Sequence, residues 1–178
     1  MSLSIARGRV RLDRRNIRSR YGSPAPDNAM TFAMMIATLG GIGRLKPGPG
    51  TWGSLVVLPL VMLGPAACLV LALGVTVLGY FAVRGVLRDR PDEDPGWIVV
   101  DEAAGMLLAL AGLTSEASLW GVLLAFVTFR VFDIFKPWPI SWADQQKGAF
   151  GVMLDDVVAG ALVAAALLLA RPILPGVI

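Results

Sequence analysis

The chain has 178 residues, 56% hydrophobic and 16% charged, with a mean hydropathy of +0.68 and a formal net charge of +3. That length suffices for a full core, but the composition is too apolar for a water-soluble domain, so a bilayer is the natural solvent. There is no histidine and a single cysteine, Cys68, which excludes histidine nucleophiles, histidine-ligated zinc, an intrachain disulfide and a thiol-rich metal site.

Met1 to Ala29 carries seven arginines against Asp13 and Asp27, so this segment is +5 and the remainder −2. Arginines beside an apolar region read as a cytoplasmic anchor under the positive-inside rule, with affinity for anionic headgroups. Nucleic acid is not an expected partner. We expect residues 1–29 to form a basic, flexible cytoplasmic tail and residues 30–178 a membrane-embedded domain.

Met30 to Ile42 is apolar but short, which suits a re-entrant or interfacial helix better than a crossing. Gly and Pro in GGIGRLKPGPGTWGS, Gly40 to Ser54, predict a loop, with Thr51 capping the next helix. Leu55 to Val83 exceeds one crossing and is interrupted by Gly64 and Pro65, which predicts a hairpin. Its first limb is the short one: at about 1.5 Å per residue, Thr51 to Leu63 reaches only part-way across a core of about 30 Å. Helices follow from Trp97 to Leu113, leaving the cytoplasm, from Leu119 to Phe135, returning, and from Met153 to Ala170. Pro137 and Pro139 end the middle one, and Trp138 and Trp142 suit an interface. The expected fold class is an all-α polytopic membrane bundle with short or re-entrant helices.

Five carboxylates interrupt these helices: Asp101, Glu102, Asp133, Asp155 and Asp156. An intramembrane charge costs roughly 3 kcal/mol on insertion scales, so the five need compensation. The topology brings all of them to the cytoplasmic edge. Oxygen ligands converging without His or Cys make a site for a hard cation, Mg²⁺ or alternatively Mn²⁺. The bland account is that Arg130, Lys136 and Arg84 neutralise them, but the bases are too few. Arg130 shares a helix face with Asp133, Lys136 follows one turn later, and both are candidates for gripping phosphate oxygens. Lys46 and Thr51, in the Gly-rich loop, are candidates from the same edge, although the loop lacks P-loop spacing.

Acids for a cation and bases for phosphate suggest phosphoryl chemistry on a lipid headgroup. Cysteine and histidine phosphatases are excluded, and the D-x-D pattern of aspartyl-phosphate hydrolases is absent, since Ile134 and Phe135 follow Asp133. Metal-activated water, or attack by a carboxylate, remains. The strings PGTWGS at Pro49 to Ser54, IVVDEAAGM at Ile98 to Met106, FRVFDIFKPWPISWAD at Phe129 to Asp144 and GAFGVMLDDVVAG at Gly148 to Gly160 resemble the phosphatidylglycerophosphatase A family. The resemblance runs from about Met30 to the C-terminal end. It implies Mg²⁺-dependent hydrolysis of phosphatidylglycerophosphate to phosphatidylglycerol in a bacterial inner membrane and an all-helical fold, while the positive-inside rule faces the active site to the cytoplasm. The family's acidic positions fall on Asp101, Glu102, Asp133, Asp155 and Asp156, as metal-ligating and catalytic residues, and its basic ones on Arg130 and Lys136. Beyond substrate and bilayer, a homo-oligomer is an expected association. The competing reading is a cation-binding or cation-coupled transporter, since acids on broken helices also serve ion pathways. The Gly- and Ala-rich stretch Ala159 to Ala166 would suit a packing role in an assembly protein.

Overall fold

The computed structural model describes residues 31–89 and 93–178. The expected basic tail, residues 1–29, lies outside the described residues. Those residues are all helical in their regular structure: α1 (Phe32–Ala37), α2 (Pro49–Val56), α3 (Pro65–Val86), α4 (Val100–Leu110), α5 (Leu119–Phe135), α6 (Ile140–Asp144) and α7 (Gly148–Ala170), with 3-10 segments at Ile42–Arg44 and Leu58–Leu63.

The predicted loop at Gly40 to Ser54 is partly helical. Gly48 adopts φ 68°, a conformation only glycine enters without steric cost, and Pro49 then occupies the first helical position, where its missing N–H is no loss. Thr51 is therefore the third residue of α2 rather than the cap of a later helix. The break at Gly64 and Pro65 is as expected, with Gly64 at φ 85° heading α3. The short limb gains reach from its backbone. Eight α-helical residues and six 3-10 residues rise about 1.5 and 2.0 Å each, or about 24 Å in all. Gly64 accordingly arrives beside Ser115, at the opposite end of the bundle from Gly50.

The helix expected from Trp97 to Leu113 begins only at Val100 and spans 11 residues, nine of them buried. At about 16 Å it is the central post of the bundle. It runs parallel to α7, which is fixed by two close approaches: a Cβ on Gly160 would lie 2.2 Å from Gly105 O, and one on Gly112 would lie 2.6 Å from Ala164 Cα. Small residues let the two backbones meet. Both α3 and α5 run the other way, Gly79 of α3 packing on Met153 and Val100, and Gly121 of α5 on Val177 O. The core joins Met106, Leu107 and Leu110 of α4 to Phe129 of α5 and Val163 of α7.

By length and composition two helices, Pro65–Val86 and Gly148–Ala170, can cross a membrane. They extend about 33 and 35 Å. The outer face of α3 presents Leu69, Val70, Leu73, Val77 and Phe81, all exposed, an apolar stripe that water would not favour and lipid would.

Candidate active site

The antiparallel arrangement gathers one edge from four elements: the start of α2, the start of α4, the end of α5 and the early turns of α7. Ile98, Val99 and Val100 are buried, and Val99 N–H donates to Ala37 O at 2.9 Å, which pins the entry to α4. Asp101 and Glu102 thus occupy the first turn, where the helix dipole favours negative charge. Asp156 arrives from α7. Its carbonyl faces Gly105, where a Cβ would sit 2.4 Å away. Ligand oxygens of Asp101, Glu102 and Asp156 all lie within 4.8 Å of one another. Asp101 Oδ1, Glu102 Oε2 and Asp156 Oδ1 are buried with no hydrogen-bond partner among the described residues. Three crowded carboxylates with orphaned oxygens and no soft ligand are what a hard cation compensates, and this group can hold a metal ion.

The other two predicted acids flank that triad, each held by a base. Asp133 pairs with Arg130, Oδ2 to Nη1 at 2.6 Å, as the three-residue spacing anticipates. Asp155 Oδ2 accepts from Lys136 Nζ at 2.8 Å, and the same ammonium donates to Asp144. Lys136 ends α5 in the left-handed region, φ 45°, a conformation costing a side-chain residue roughly 1 kcal/mol. Burial opposes its charge, but the hydrogen bonds and negative charges of Asp144 and Asp155 outweigh that and hold the ammonium above the ordinary lysine range. The neutralising role considered for Lys136 is thus its observed pairing, whereas Arg84 makes no ion pair among the described residues.

Neither Lys46 nor Thr51 makes a hydrogen bond or ion pair with the acids among the described residues. Thr51 Oγ1 lies over Gly48, and Lys46 lines a separate cleft before α2. Two neighbours enter instead: Gly50, expected with that loop to offer its amide to phosphate, and Ser54, which had no predicted role. Gly50 faces the site so closely that a Cβ would be 2.0 Å from Glu102 Oε1 and 3.3 Å from Arg130 Nη1. Ser54, one turn on, donates to Gly50 O at 3.0 Å and accepts from Arg130 Nη1 at 3.4 Å. The four-residue spacing was the available signal, hidden by reading the segment as a loop. Asp144 likewise sits inside a quoted string without a part assigned to it.

Fold and site define a helical protein, with two helices suited to a membrane, in which buried carboxylates able to hold a metal ion face an arginine. The family model described as Phosphatidylglycerophosphatase A matches residues 35–171, and the chain belongs to that family. A Haemophilus influenzae phosphatidylglycerophosphatase A is 39% identical over 125 residues, covering 67% of this chain and 76% of the relative. The Escherichia coli phosphatidylglycerophosphatase A is 38% identical over 120 residues, 64% of this chain and 69% of that one. A Bacteroides thetaiotaomicron protein, named as a candidate phosphatidylinositol-3-phosphatase, is 34% identical over 137 residues, 71% of this chain and 86% of its own length. No solved structure matches.

Proposed function

We propose that the chain hydrolyses the phosphomonoester of phosphatidylglycerophosphate, giving phosphatidylglycerol and inorganic phosphate, with Mg²⁺ as its cation. The observation that carries this is the triad of Asp101, Glu102 and Asp156, its ligand oxygens within 4.8 Å of one another, beside Arg130 in a chain of this family. A cation held there supplies positive charge against the charge developing on the transferring phosphoryl group.

Arg130 grips the phosphate oxygens, a task suited to its planar fork, and Asp133 with Ser54 fixes the direction of that fork. The bare backbone of Gly50 lets Glu102 and Arg130 close in on α2, which fixes both side chains beside the site. Water attacks phosphorus, the ester P–O bond breaks, and the oxygen leaves on the glycerol. A carboxylate of the site takes the water's proton and returns one to the departing glycerol oxygen. Asp155 and Asp144 hold Lys136 charged at the rim, where it adds to the field that attracts the anionic headgroup.

Membrane orientation follows from charge. Arg84, Lys136 and Lys147 lie toward the acidic edge and Arg171 at the other end, which under the positive-inside rule faces the site to the cytoplasm of a bacterial inner membrane. Exposed Trp138 and Trp142 at that edge, and Trp120 at the opposite end, suit the two interfaces.

The test is phosphate release from phosphatidylglycerophosphate by the detergent-solubilised protein, with Mg²⁺ and with EDTA. We expect release that stops with chelation. Release that persists in EDTA would remove the cation from the reaction, and a folded protein silent in Mg²⁺ would overturn the substrate assignment.

A further inference from the structure

Beside the acidic site lies a second cleft of 480 Å³, lined by Met34, Arg44, Lys46, Pro49 and Trp97 among others. Arg44 ends the 3-10 segment Ile42–Arg44, and the one hydrogen bond of its guanidinium among the described residues goes to Met34 Sδ at 3.8 Å. Neither Arg44 nor Lys46 has a carboxylate partner among the described residues. Two exposed cations therefore share a cleft with no anionic partner among the described residues, while the apolar Met34, Pro49 and Trp97 form its walls.

The cleft and the acidic site are built from the same two strands of chain. Pro49 lines the cleft, and the next residue, Gly50, touches Glu102 and Arg130. Trp97 lines the cleft, and four residues on stands Asp101. The two segments are locked together between these points, since a Cβ on Gly43 would meet Trp97 O at 2.0 Å and one on Gly53 would meet Val99 O at 2.9 Å. Whatever fills the cleft is thereby held at a fixed offset from the triad.

Phosphatidylglycerophosphate carries two phosphates, the terminal monoester and a diester joining its glycerol to the diacylglycerol. We propose that Arg44 and Lys46 bind the diester phosphate while the monoester sits at Asp101, Glu102, Asp156 and Arg130. This rests on the proposed lipid phosphatase activity and deepens it. The cleft then measures the spacing of the two charges and selects lipids whose monoester stands one glycerol away from a diester. Contacts made equally in ground and transition states lower KM without raising kcat.

The experiment compares wild type with Arg44→Gln/Lys46→Gln in neutral detergent micelles containing Mg²⁺. The substrate is phosphatidylglycerophosphate, and the competitor is phosphatidic acid, which has a monoester and no diester. We expect KM for phosphatidylglycerophosphate to rise about tenfold or more with kcat within about twofold, and the inhibition constant of phosphatidic acid to stay put. The charge-preserving Arg44→Lys/Lys46→Arg variant recovers most of the affinity, which a folding defect would not allow. An unchanged KM overturns the inference, as does a fall in kcat with KM intact. Equal weakening of both lipids would show attraction to any anionic headgroup instead of the diester. Failure of the wild type to hydrolyse the substrate would defeat the activity itself, an outcome distinct from all of these.

Discussion

The two ends of the α4 and α7 pair are built on opposite principles. At the far end, Arg171 Nη2 donates to Gly112 O at 3.1 Å and to Leu113 O at 2.8 Å, closing carbonyls of the turn that follows α4, and Ser118 Oγ donates to Val177 O at 3.0 Å. At the near end the same two helices carry carboxylates whose inner oxygens have no partner. Of the six buried polar atoms without a partner among the described residues, five lie at the near end and only Arg171 Nε at the far one. Buried polar groups are ordinarily satisfied, because leaving one bare costs about 1–3 kcal/mol. The concentration of exceptions marks the near end as the one able to take a cation, and the far end as the one built for stability.

The strongest way to break this contrast is to remove a charge at the near end. Asp156→Asn or Asp101→Asn should lower kcat on the order of a hundredfold or more, while the melting temperature without Mg²⁺ stays level or rises, because a crowded buried charge has gone. A variant that keeps its activity would take that residue out of the site. Arg130→Ala should come next, reducing kcat/KM about tenfold to a hundredfold; a loss confined to thermal stability would mean Arg130 only neutralises Asp133.

Stability is where the far end should answer. Gly160→Ala places a methyl 2.2 Å from Gly105 O and should cost about 1–3 kcal/mol in denaturant titration, with wild-type stability showing that the helices part freely. Arg171→Ala should cost a similar or smaller amount, about 1–2 kcal/mol, and leave kcat unchanged; a drop in kcat would join the two ends that the structure separates. The smallest effect concerns pH. The folded value of Lys136 is raised, so the stability of its clasp is fully present below the unfolded lysine pKa of about 10.4 and is lost only as pH climbs through the higher folded value. The melting difference between wild type and Lys136→Met should be flat from about pH 6 to 9, and one that shrinks over that range would contradict the pairing.

Much of the near end was legible because the signals there are chemical. Acids inside apolar helices are conspicuous, and the three-residue spacing of Arg130 and Asp133 predicts their ion pair directly. What the pattern could not resolve was the division of the five acids. Asp155 and Asp156 are neighbours in sequence, yet the turn of α7 directs one to Lys136 and the other to the triad, a difference set by tertiary packing. The loop reading of Pro49 to Ser54 failed for a related reason. Its glycines argue against a helix in isolation, but Gly50 and Gly53 are bare because Glu102 and Val99 press against them, so packing overrides propensity. Likewise the apolar content of α4 does not separate lipid-facing from core residues, and nine of its 11 residues prove to be buried.

The meeting of Gly105 with Gly160 has a consequence for which ion is admitted. Asp101 precedes the first glycine by four residues and Asp156 the second by four, so the crossing sits one turn beyond both carboxylates and sets the gap between them. A divalent ion of small radius demands short, rigid coordination, whereas a larger one accepts more oxygens at greater distance. The glycine contact is thus a caliper: if the acids hold the proposed Mg²⁺, a single methyl group prising it open would shift the preference toward Ca²⁺ before any carboxylate had been changed.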